Sequence, residues 1–77
     1  MSPAEDTIRE LTALIEHAPT ADLYFRRGRI WWACGEKGRA ITDYEHAVAL
    51  DPESPAAVAL EMARGVMDFY HTDLYNP

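Results

Sequence analysis

Apolar residues recur along this chain at steps of three and four, the spacing that gathers side chains on one face of a helix. Between about residues 3 and 17 the stripe is Ile8, Leu11, Leu14 and Ile15, with Ala18 just beyond. Pro19 stops it, because proline disfavours helical geometry in the residue before it. Ser2-Pro3-Ala4-Glu5 has the form of a helix start, with Ser2 as cap, Pro3 in the first helical position and Glu5 placed to close a capping box. A second helix is expected over about 21–34, capped by Thr20 and ended at Gly35, which accepts left-handed backbone at no steric cost. A third, about 38–50, carries Ile41, Tyr44, Ala47, Val48 and Leu50 and ends at Asp51-Pro52. Ser54-Pro55 repeats the opening start signal, so a fourth helix follows over about 55–70. The fold class is all-α.

The fourth segment is apolar over too wide an angle. Val58, Met62, Gly65, Val66 and Phe69 occupy one arc, and Ala59, Leu60, Ala63, Met67 and Tyr70 the adjoining one. Together they span roughly 220°, where a helix covering the end of a stack needs about 100°. The second arc therefore needs a cover. The segment 72–77 is short, so Leu60, Ala63, Met67 and Tyr70 are expected to meet another protein chain.

In the middle of the chain, Tyr24, Gly28 and Trp31 share one helical face and Ala40, Tyr44 and Ala47 share the next. Gly28 and Ala40 let the two helices approach closely, the rings fill the wider gaps, and Ala47 leaves room for a third element. With Gly35 at the turn and Pro52 in Ala-Leu-Asp-Pro, these residues resemble the tetratricopeptide repeat, a helix-turn-helix unit of about 34 residues. At 77 residues the chain is read as a single domain over 1–77. In it, helix 3–18 is a partial repeat, 21–54 the full repeat, 55–71 a capping helix and 72–77 a short tail. His17–Thr20 corresponds to residues 50–53 one position out of step. Two residues depart from the family: Arg27 stands where a Leu is usual, leaving one core contact unaccounted for, and Lys37 replaces an aromatic residue after the turn.

What the resemblance implies for function is a module that binds a protein or peptide. In the family the concave surface is built from the first helix of each pair, which here offers Asp22, Phe25, Arg26, Arg29, Trp32 and Ala33. Arginine and large rings together make binding hot spots, since Arg pairs two hydrogen bonds with a carboxylate and rings bury much area. Arg26 and Arg29 would receive an acidic side chain or a C-terminal carboxylate, flanked by Phe25 and Trp32. The alternative is that both rings belong to the core and the arginines are only solvated; the sequence leaves this open.

Charge sharpens the picture. The chain of 77 residues has a formal net charge of −6, which opposes binding to nucleic acid or anionic membranes. Yet Arg26, Arg27, Arg29, Lys37 and Arg39 lie in a window whose only acid is Glu36, +4 locally against −10 over the remainder. Such a patch favours an acidic peptide or a second copy of this chain, and a homodimer in which the fourth helix covers a twin's exposed stack is the structural alternative to peptide binding. No run approaches the roughly 18 apolar residues of a membrane span, and Cys34 stands alone, which fits a reducing, cytoplasmic setting. His17, His46 and His71 lack metal-site spacing. Neither cofactor, metal nor catalytic role is expected.

Overall fold

The computed structural model describes the backbone of residues 2–75 and the side chains of residues 2–66. Four helices follow one another: α1 (Pro3–His17), α2 (Ala21–Ala33), α3 (Lys37–Leu50) and α4 (Ala56–Tyr75). Successive helices pack on one another. α2 and α3 run antiparallel, because Tyr24 meets His46, Arg27 meets Asp43 and Trp31 meets Arg39.

The expected punctuation is visible atom by atom. Ser2 Oγ accepts from the Glu5 N–H (3.2 Å), and Thr20 Oγ1 accepts from the Leu23 N–H (3.2 Å). α2 ends with Gly35 at φ +85°. There the Gly35 N–H donates to the Trp32 carbonyl and the Glu36 N–H to the Trp31 carbonyl, the paired closure that a left-handed residue makes available. After α3, Asp51 Oδ1 accepts from the Glu53 N–H and Ser54 Oγ from the Ala56 N–H, turning the chain into α4.

Two boundaries differ from expectation. α3 begins at Lys37, and α4 continues through Tyr75, so residues 72–75 extend the helix instead of forming a tail. Nothing in His71-Thr72-Asp73 forbids helix, since neither Gly nor Pro occurs between Gly65 and Pro77.

The core explains which arc of α4 faces inward. Ala40, Tyr44 and Ala47 of α3 cluster with Ala56, Leu60 and Ala63 of α4, all buried. Small residues at 56 and 63 let α4 lie close on Ala47, whereas Val58 or Met62 would hold it away. The arcs are therefore exchanged relative to the sequence reading. Leu60 and Ala63, expected on a self-association surface, are core, while Val58 and Met62 are 63% and 68% exposed. Met67 and Tyr70, assigned to the same surface, lie outside the described side chains.

Candidate protein-binding surface

The α2–α3 contact sets the geometry of everything around it. A Cβ on Gly28 would stand 2.7 Å from the Tyr44 ring and 3.3 Å from the Ala40 carbonyl oxygen, so only glycine admits this approach. Tyr24 stacks on His46 at 4.9 Å between centroids, and the Phe25 ring lies 6.1 Å from that of Tyr44.

Arg27 supplies the contact that its departure from the family left unaccounted for. Its Nε and Nη2 donate to the two carboxylate oxygens of Asp43, both at 2.8 Å, and its Nη1 donates to Thr12 Oγ1 at 3.1 Å. One guanidinium thus ties α1, α2 and α3 together, in the paired geometry that only arginine provides. Asp43 is buried, so the pair is a structural tie and not a ligand site. The hydrogen bond from Asp43 raises the Arg27 pKa above its ordinary value, with burial opposing. A raised basic pKa means that the stabilisation tied to the Arg27 charge is present through neutral pH and is lost as pH rises into strong alkali.

The six residues expected on the concave face do not form one site. Arg26, Arg29 and Ala33 line an open groove of about 900 Å³ between α1 and α2, together with Thr7, Leu11, Leu14 and Ile30. Trp32 lines a second, smaller groove of about 270 Å³ with Ala59, Met62 and Val66 of α4. Phe25 packs against the core, and Asp22 is paired with Arg26 at 2.8 Å on the exposed surface. The inner face of α2 is thus a ridge between two grooves, and Phe25 and Trp32 are alike half-buried and packed against the core.

The basic window is organised on aromatic rings. Arg29 stands 5.8 Å from the Phe25 centroid, Lys37 4.1 Å from Trp32 and Arg39 4.9 Å from Trp31. Arg39 is also paired with Glu36 at 3.7 Å, which leaves Arg29 and Lys37 as the ring-backed cations offered to a ligand. Lys37 in place of an aromatic residue is explained by its contact with Trp32. Burial raises the Tyr44 pKa, with Arg29 opposing and Asp43 assisting. The neutral phenol is the form this fold holds, and the corresponding stability falls as pH rises above the ordinary tyrosine value.

Leu14 and Ile30 were not assigned to any ligand surface from the sequence, although both line the larger groove. Leu14 is 52% exposed. The signal available was its place at the edge of the α1 stripe, one turn off the residues that face α2. Among the described residues no three His, Cys, Asp or Glu side chains gather in a metal-binding group, and no helix is long and apolar enough to cross a bilayer.

The tetratricopeptide repeat family model matches residues 21–54. That segment comprises α2, α3 and the turn into α4. Over that segment, somewhat under half of the chain, the protein is similar to the tetratricopeptide repeat, a unit that generally serves protein–protein interaction and not catalysis. Comparisons with curated proteins and with solved structures return no match.

Proposed function

We propose that this chain binds an acidic segment of another protein along the inner face of α2, with Arg29 and Lys37 as charge contacts and Trp32 as the apolar wall. The observation that supports this reading is the layering of cations on rings. Arg29 over Phe25, and Lys37 from the start of α3 over Trp32, place charge beside the two rings that share one side of α2. An extended peptide lying in the groove of Trp32, Ala59, Met62 and Val66 would set carboxylates against Lys37 at Trp32, and one that crosses the α2 ridge would reach Arg29 in the neighbouring groove. Arg26 is the weaker contact, being already engaged by Asp22.

The probe is a fluorescent peptide alternating Glu with apolar residues, titrated by anisotropy at low salt. Arg29→Glu combined with Lys37→Glu should weaken capture by roughly a hundredfold, since each reversal replaces an attraction with a repulsion of about 1 kcal/mol or more. Arg29 is exposed and Lys37 half-buried in the first turn of α3, where an acidic residue suits the helix dipole, so helicity by circular dichroism should be retained. Unchanged affinity in the double variant would sink the proposal.

A further inference from the structure

α1 and α4 each carry half of the contact that α2 and α3 make with one another. Shifted by one repeat length of roughly 34 residues, Tyr24, Gly28 and Trp31 fall on Val58, Met62 and Gly65. All three are exposed. Shifted back by one fewer, Ala40, Tyr44 and Ala47 fall on Thr7, Leu11 and Leu14. Those three line the groove between α1 and α2. α4 thus presents outward the face with which a first helix holds its second, and α1 presents the face with which a second helix holds its first.

We infer that α4 of one copy occupies the α1–α2 groove of a second copy, so that two chains complete a repeat between them head to tail. Bulk balances across such a pair. Val58, Gly65 and Leu11 are smaller than Tyr24, Trp31 and Tyr44, and Met62 in place of Gly28 fills the space the rings would have taken, with a side chain flexible enough to adapt. Charge favours only one wall of the groove. The segment 56–75 has Glu61, Asp68 and Asp73 against Arg64, a net −2; α2 has Arg26, Arg27 and Arg29 against Asp22, a net +2, whereas α1 has Glu5, Asp6, Glu10 and Glu16 against Arg9, a net −3, so the attraction falls on the α2 side and the repulsion on the α1 side. The contact also continues the stack in the direction in which α4 already covers α3. Because the two surfaces differ, the association is heterologous and extends or closes according to its rotation.

The same alignment exposes one mismatch. Arg27 falls on Glu61 and Asp43 on Glu10, so the position of the internal Arg–Asp tie is occupied by two carboxylates. This keeps the association weak and reversible, and it provides a test that general stickiness would not reproduce. Glu10→Arg should pair with Glu61 of the neighbouring copy and tighten association by roughly tenfold.

The experiment is sedimentation equilibrium over a wide concentration range. The unaltered chain should gain mass with concentration. Leu14→Glu and Met62→Glu, both at exposed positions that the fold tolerates, should each be monomeric alone and form a one-to-one complex when mixed, since each retains the half the other lacks. A monomeric unaltered chain at millimolar concentration, a single variant that still self-associates, a mixture that stays monomeric, or Glu10→Arg without tightening would each overturn the inference. Capture of the acidic peptide by Leu14→Glu separates this result from the peptide-binding reading, which places nothing on α1.

Discussion

The α2–α3 pair and the two outer helices are written on the same spacing but finished differently. Between α2 and α3 every position is committed: Gly28 clears a path for Tyr44, Ala40 and Ala47 are fully buried, and Arg27 neutralises the buried Asp43. On the outward faces of α1 and α4 the equivalent positions hold Leu14, Met62 and Glu61, all three exposed. Helical spacing alone therefore does not create a contact. What commits a face is the complement of each residue on the opposing helix, and an uncommitted face of the right spacing is an interaction surface in waiting.

The sharpest way to break the distinction is to remove the charge that finishes the inner pair. Arg27→Ala leaves the Asp43 carboxylate buried without a partner, at a cost of about 3–5 kcal/mol. For a domain of this size that is most of its stability, so urea unfolding followed by circular dichroism should show a largely unfolded chain. Arg27→Leu together with Asp43→Leu should recover much of the loss, because a well-packed apolar pair removes the buried charge altogether. If Arg27→Ala unfolds at the same urea concentration as the unaltered chain, Asp43 is solvated in solution and the inner pair is not finished as described.

A second comparison exchanges one residue type between equivalent positions. Gly28→Met must displace the Tyr44 ring and is expected to cost about 2–3 kcal/mol through overpacking, even though glycine is a poor helix former. Met62→Gly, at the equivalent place on α4, loses only helix propensity of about 1 kcal/mol because the side chain is exposed. Equal midpoints in thermal unfolding for the two variants would erase the difference between the faces.

How far the sequence disclosed this follows from the same distinction. Helix ends were legible because caps and breakers are local: Ser2, Thr20, Gly35 and Asp51-Pro52 act on their own neighbours. The Gly28–Tyr44–Ala40 approach was legible because a glycine at helical spacing from two rings has few other uses. The inward arc of α4 was not. Both arcs are apolar, and choosing between them requires knowing that Ala47 leaves room only for small residues such as Ala56 and Ala63. Nor was the role of Arg27, whose partners lie on two other helices at Thr12 and Asp43 and share no local spacing with it. The division of Asp22, Phe25, Arg26, Arg29, Trp32 and Ala33 between two grooves depends likewise on where α1 and α4 flank α2.

The smallest expected effect comes from a second arginine–carboxylate contact between helices, Arg64 with Glu45. Arg64 Nη2 lies 2.7 Å from Glu45 Oε2, a shorter contact than either bond from Arg27 to Asp43, and distance alone would rank it first. Exposure reverses the order. The side chains of Arg64 and Glu45 are 55% and 48% exposed, so water and salt screen the pair, and holding two long side chains together consumes most of what the attraction gains. Glu45→Ala should therefore change stability by no more than about 0.5–1 kcal/mol, and that difference should shrink between low and high salt. The Arg27–Asp43 pair, with Asp43 at 3% exposure, should show little salt dependence in the same measurement. A Glu45→Ala loss rivalling that of Arg27→Ala would mean that α4 is pinned by charge and not by Ala56, Leu60 and Ala63, and its outward face would then owe its orientation to Arg64.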